Sequence, residues 1–214
     1  ALQLRLVPGI GHIAAKKLIA YCGGLEAIFS EKKSNLLKIP NIGEKVAGNL
    51  SNFKMQEEVE LELQFIEDNN IQAHFYQEAS YPHRLSHCED APILLFSKGE
   101  MDLNSNKMQA IVGGRNASVH GKRNCERIVE DLLPQEVTIV SGLAYGIDIT
   151  AHKAALKVGL PTVGVLPCGL DNLYPKSHHK TAKQMLEHGG LVSDYFSRTK
   201  IHPTNFVERS RIVA

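Results

Sequence analysis

The sequence lacks the features that mark several large classes of protein. Its four cysteines, Cys22, Cys88, Cys125 and Cys168, are scattered and form no Cys-x-x-Cys pair, which argues against a disulfide framework and a zinc site. No apolar run approaches the roughly 20 residues needed to cross a bilayer, and no signal-peptide pattern opens the chain. The expected location is therefore the cytoplasm, with no membrane partner. Net charge is only +1, so overall basicity gives no indication of nucleic acid. Nucleotide fingerprints are missing too. A dinucleotide site needs Gly-x-Gly-x-x-Gly after the first strand and an acid closing the second, whereas the turns here read Gly113-Gly114-Arg115-Asn116 and Ser141-Gly142. A P-loop needs a shorter gap between glycines, closed by Lys and then Ser or Thr. Gly114 and Gly121 are too far apart, and Arg123 follows Lys122, so ATP chemistry is not indicated.

What is present is ordinary in bulk and patterned in detail. With 214 residues, 43% hydrophobic and 22% charged, the chain can build one large domain, or a large and a small one, each with a core. Charge is segregated along it. Met55 to Ala73 carries Glu57, Glu58, Glu60, Glu62, Glu67 and Asp68 without Lys or Arg, while Lys107 to Arg123 carries four bases without an acid. From Lys176 onward bases again outnumber acids.

An internal repeat occupies the N-terminal part. LVPGIGHIAAKKLIAY from Leu6 and KIPNIGEKVAGNLSNF from Lys38 align, matching Pro8 to Pro40 and Gly11 to Gly43. Each is an apolar residue, a proline, a tight turn ending Ile-Gly, and a helix. The pattern resembles a tandem helix-hairpin-helix (SAM-like) unit, whose turns can set backbone N–H groups against phosphates with Lys16, Lys17 and Lys45 in support. A protein-docking or spacer role for the unit is an equal alternative. An acidic helix over Ser51 to Asn70, with Val59, Leu63 and Ile66 on one face, closes this unit. The expected division is a helical domain over 1–69 and an α/β domain over 70–214.

The second part reads as strands and helices in alternation. Ile71–Phe75, Pro92–Phe96, Ala110–Val112, Val137–Val140, Thr162–Leu166 and Leu191–Ser193 are expected strands. Cys125, Ile128, Val129, Leu132 and Leu133 fall on one apolar face of a helix, and another helix is expected near Lys180 to Glu187. The spacing predicts a Rossmann-like, doubly wound, mostly parallel sheet. Ligands in such sheets bind beyond the carboxyl ends of the strands, so the turns after Val112 and Val140 belong to one pocket. Gly113 and Gly114 free backbone N–H groups for an anion, Arg115 adds a forked donor and Ser118 a hydroxyl. Ser141 and Gly142 open a second helix start, with Asp148 a candidate cap. The plainer reading is that Gly142 and Gly146 only permit tight turns.

Candidates for catalysis are weak. Asp148 and His152 could share a helix face, but such a pair more often caps and packs. Cys168 lies in a turn after a strand, without an evident base, and a buried thiol is the simpler account. His178 and His179 are adjacent and make a poor metal pair. No catalytic residue, metal or cofactor is assigned.

The ordered motifs IVGGRNAS…HG, SGLAYGIDITAH, GVLPCGLDNLYP and FVERSRIVA, preceded by YPHRL and DAPILLFSKG, resemble the bacterial DNA-processing protein A family (DprA, also called Smf) from about Ile71 to the last residue. The resemblance implies a recombination mediator rather than an enzyme. Such a protein binds single-stranded DNA, protects it, and loads the RecA recombinase during natural transformation. It also implies phosphate contacts at Gly113, Gly114, Arg115 and Ser118, in the Ser141, Gly142, Leu143 and Ala144 turn, and at Lys176, Arg209 and Arg211. Tyr145, Tyr174 and Phe206 are candidate partners for bases. Gly114 stands where the family commonly has Ser or Thr, and Ser210 where it has Asn. The family pattern continues past the last residue, so the resemblance implies a C-terminally incomplete domain and leaves a homodimer open. The competing reading is a nucleotide-hydrolysing enzyme of the phosphoribohydrolase type, whose Pro-Gly-Gly-x-Gly-Thr run does not occur here.

Overall fold

A computed structural model describes residues 1–54 and 56–214. The first part is helical: α1 (Leu2–Leu6), α2 (His12–Cys22), α3 (Leu25–Ser30), α4 (Lys33–Leu36), α5 (Glu44–Ser51) and α6 (Gln56–Asp68). The two copies of the repeat lead into α2 and α5. Gly11 and Gly43, extended and without side chains, stand as their N-caps. The left-handed Gly23 ends α2, its N–H bonding to the Ile19 carbonyl, a termination that glycine makes without steric cost. Leu4, Leu18, Ile28, Leu36 and Leu50 form the buried cluster of these helices, which continues into Ile71, Ile93, Leu94 and Phe96 of the following part. Helix and sheet therefore share apolar packing.

In α6 the expected apolar face is rotated. Val59 is buried, but Leu63 is 50% exposed, and Glu62 takes the inward position. Its carboxylate accepts hydrogen bonds from the backbone N–H of Ser197 at 3.0 Å and from the Ser197 hydroxyl. A carboxylate so satisfied can replace an aliphatic side chain at a buried position. Of the helix expected over Ser51 to Asn70, Met55 lies outside the described residues.

The remaining elements are β1 (Gln72–Phe75), α7 (His83–Ser86), β2 (Leu94–Lys98), β3 (Met108–Ala110), α8 (Val119–Asp131), β4 (Thr138–Ser141), α9 (Ile147–Val158), β5 (Thr162–Val165), α10 (His179–Met185), β6 (Gly189–Ser193) and α11 (Pro203–Val213). Short 3-10 turns lie at Leu133–Gln135 and Lys176–His178. The sheet order is β1-β2-β6-β5-β4-β3. β3 through β6 are parallel, in the register Ala110↔Val140, Val140↔Val163 and Val163↔Gly190, while β1 and β2 join antiparallel. This is the mixed α/β, mostly parallel sheet expected.

Alternation along the strands sorts the two faces. Ile139 and Leu191 meet α8, α9 and α10, whereas Val140, Val163, Val165 and Val192 meet Tyr81, Leu85, Leu103 and the end of α11. β3 starts and stops two residues earlier than expected. Ile111 adds one more bond, from its N–H to the Val140 carbonyl, before the glycine pair turns the chain away. On α8 only Cys125 and Val129 are buried, and Ile128 is 52% exposed. The helix packs chiefly on α9, and the flank of its apolar stripe stays exposed.

Candidate functional site

The turns after β3 and β4 meet as the parallel register requires. Ile147 at the start of α9 donates its N–H to the Gly114 carbonyl at 3.3 Å. Gly146 between them has φ +81°, and a Cβ there would run into the carbonyl oxygens of Gly114 and Arg115. Glycine is required both by the left-handed backbone and by the close approach of the other turn. The first turn is open: Gly113, Gly114 and Arg115 are exposed, and a Cβ at Gly114 would meet nothing within 4 Å. Their N–H groups donate to no described residue.

The second turn is filled from within. Ser141 is buried, and its hydroxyl donates to the Ile111 carbonyl, so it ties the two turns together rather than facing a ligand. Leu143 is buried with φ +62°, and its carbonyl accepts from Nδ1 of His178 at 2.9 Å. The Ala144 N–H donates to the Asp148 carboxylate at 3.3 Å. Asp148 therefore acts on the turn before α9, and Gly146, not Asp148, is the N-cap. Of the second turn expected as an anion socket, the Ala144 N–H is taken by the Asp148 carboxylate and the Ser141 hydroxyl by Ile111, while the N–H groups of Gly142 and Leu143 donate to no described residue. Ser118 caps α8 by accepting from the Gly121 N–H at 3.1 Å. A hydroxyl engaged in this way keeps its proton and one lone pair for a ligand, so the cap and a phosphate contact are compatible.

Into the space above Gly142 comes Arg209 from α11. Any Cβ at Gly142 would overlap the guanidinium. Arg209 is 6% exposed, and its Nε–H has no partner. Burial lowers the guanidinium from its usual range, with the Asp148 charge acting in the opposite sense and Arg115 adding to the lowering. A buried cation held so loosely by its own chain is costly unless an anion completes it. Arg115 lies 4.9 Å from the centroid of the Phe206 ring, and Phe206 meets Tyr174 edge-on at 5.9 Å. Tyr145, Tyr174 and Lys176 are exposed around the same rim. Ser177 donates to the Tyr145 hydroxyl at 3.2 Å, and Tyr145 packs on the His178 ring at 4.9 Å. His178 orients this wall, and nothing in the pattern of the sequence marked it out for that role.

Arg211 does not belong to the cluster. Two residues beyond Arg209 on a helix it faces the other way, donating to Asp194 at 3.0 Å. Asp194 in turn lies 3.3 Å from Nε2 of His12 at the start of α2, and Lys16 donates to the carbonyls of Cys88 and Glu89. These side chains hold the first hairpin of the repeat against the sheet part.

The weak catalytic candidates are engaged elsewhere. His152 is fully buried, bonded through Nδ1 to Thr162 at 2.7 Å, and burial drives it down to about 3. Cys168 donates to the Asn172 carbonyl at 2.8 Å, and burial pushes its thiol up to about 11. Among the described residues no cluster of His, Cys, Asp and Glu could hold a metal ion, and no helix is long and apolar enough to cross a membrane.

Comparison with known proteins places these residues in context. The family model for DNA recombination-mediator protein A matches residues 72–214. DNA processing protein DprA of Streptococcus pneumoniae is 40% identical over 134 residues, covering 63% of this chain and 47% of the relative. Protein Smf of Synechocystis is 31% identical over 97% of this chain and 53% of its own length. The chain thus spans about half the length of these relatives. Among solved structures, DNA processing protein A from Streptococcus pneumoniae superposes with TM-score 0.64 at 27% identity, covering 95% of this chain and 74% of that one. DNA processing protein A from Helicobacter pylori, solved to describe its single-stranded DNA binding mode, gives 0.59 at 28% identity over 66% of this chain and 64% of its own.

Proposed function

The chain belongs to the DNA recombination-mediator protein A family, and on that premise we propose that it binds single-stranded DNA through the pocket at the carboxyl ends of β3 and β4. The observation that carries the reading is Arg209, buried beside Gly142 with an unpartnered Nε–H. A backbone phosphate supplies the anion that this guanidinium lacks. The open N–H groups of Gly113 and Gly114 receive the same or the next phosphate, with Arg115 as second cation and Lys176 at the rim. Arg115 is pre-positioned by the Phe206 ring, a stacking that fixes a guanidinium without neutralising it. The exposed faces of Tyr145 and Tyr174 stack on unpaired bases, which a duplex would not present. The single-stranded DNA binding of the Helicobacter pylori relative supports this assignment.

The wider role follows from the family: protection of incoming strands and loading of RecA during natural transformation, in the cytoplasm, as a binding protein rather than an enzyme. The occupied states of Asp148, His152 and Cys168 are in keeping with a non-catalytic site. The division into a helical unit over 1–69 and a DNA-binding unit over 70–214 belongs to the same proposal, as does a homodimer. The ties of His12 and Lys16 to the sheet part favour a docking role for the helical unit over a phosphate-binding one.

Fluorescence anisotropy of labelled oligo(dT) and of its duplex across salt, with this chain and its Arg115→Ala variant, tests the proposal. Single-strand preference is expected, with a salt slope that falls by about 0.7 in the variant, the value for one phosphate contact. An unchanged slope would remove Arg115 from the site, and equal affinity for duplex would overturn the base-stacking reading.

A further inference from the structure

From Asn172 through Leu186 the chain contains no Asp or Glu, yet it carries Lys176, Lys180 and Lys183. Thr181, Ala182 and Met185 of α10 are buried, which leaves Lys180 and Lys183 exposed on the outer side, continuing from the exposed Lys176. Among the described residues none of the three forms an ion pair. The acids that flank the segment do not neutralise it: Asp171 accepts from the Arg198 backbone N–H at 2.8 Å, and Glu187 lies past the end of α10. Lys183, in the last turn, also complements the helix dipole, but Lys180 has no such local use. The strip starts at the rim of the pocket, since Ser177 bonds Tyr145 and Tyr174 meets Phe206, on which Arg115 stacks.

We infer that α10 is a track along which a single strand leaves the pocket, with Lys180 and Lys183 holding phosphates beyond the one at Lys176. This rests on the proposed single-strand reading and adds to it a direction and a longer footprint. From Lys176 to Lys183 the helical rise covers about 11 Å, room for about two or three successive phosphates at the spacing of a stacked strand. Backbone contacts from flexible lysines carry no sequence preference, so the track extends affinity without adding specificity.

The test is a double variant, Lys180→Ala/Lys183→Ala, compared with Arg115→Ala and the unsubstituted chain on oligo(dT) of about 6 and about 20 nucleotides. Both replacements are at exposed helical sites where alanine is favourable, and unchanged thermal melting checks the fold. The double variant is expected to bind the short oligonucleotide normally. It is expected to bind the long one about tenfold more weakly at low salt, with a slope smaller by about 1.4. Equal loss on both lengths, or no loss on either, overturns the track. Arg115→Ala separates the two ideas, since it should weaken both lengths. If it weakens neither while the double variant acts on the long strand, Arg115 is removed from the site and the track stands. Silence of both variants, or no binding by the unsubstituted chain, overturns both.

Discussion

The guanidinium of Arg209 stands where a side chain on Gly142 would be. The two residues come from the turn after β4 and from the last helix, and the absence of one side chain is the condition for the burial of the other. Gly142→Ala should therefore expel Arg209. We expect roughly tenfold weaker binding to oligo(dT), the equivalent of one charge-assisted contact at about 1.4 kcal/mol. Anisotropy titration measures it, and unchanged affinity would place the phosphate elsewhere.

Gly114→Ala probes the opposite situation. Space around Gly114 is open, so melting should be unaffected. If a phosphate approaches the turn closely, the added methyl should still weaken binding, and retained affinity would remove the Gly114 backbone from the interface.

Gly146→Ala should act on stability. Its φ of +81° and the nearness of the Gly114 and Arg115 carbonyls leave no room for Cβ. A cost of about 2 kcal/mol or more lowers the melting temperature by about 4–8 °C, readable by circular dichroism.

Stability should fall on mild acidification. Burial drives His152 to about 3 from an ordinary 6.5, and burial lowers His12 and His74 as well. The unfolded chain then binds more protons than the folded one, so this stability is present above about 6.5 and is lost as pH drops toward 3. For Asp194 burial acts upward, but the hydrogen bond and charge of His12 and the neighbouring Arg211 hold the carboxyl below 3.8, so its contribution is lost only at still lower pH. Melting curves between pH 8 and pH 4, about the range in which a histidine of the unfolded chain titrates, should show the decline. A rise on acidification would contradict the burial of His152.

Thiol chemistry should separate the cysteines. Cys88 is exposed, whereas burial raises the thiols of Cys125 and, to about 11, of Cys168. Limited alkylation at neutral pH, read by peptide mass, should modify Cys88 first. Early modification of Cys168 would return it to consideration as a nucleophile.

The sequence by itself determined the alternation of short apolar runs and helices, because burial on both faces selects Val and Ile in parallel strands. It also determined that two glycine turns close adjacent strands, and that Arg115 sits in the first of them. Their meeting was legible, since parallel neighbours bring successive carboxyl ends together. Only the tertiary structure decided which groups remain free. Whether Ser141 faces a ligand or the Ile111 carbonyl depends on an atom from the other turn, and whether Asp148 caps its own helix or holds the Ala144 N–H depends on how its own turn folds back. Arg209 and Arg211 differ by two positions, and the helical rotation sends one into the pocket and the other to Asp194. Pattern along a chain records which residues are apolar and where it turns. Pairing of charges is set by contacts between distant segments, such as α11 against Gly142 and α2 against Asp194, which no local period encodes.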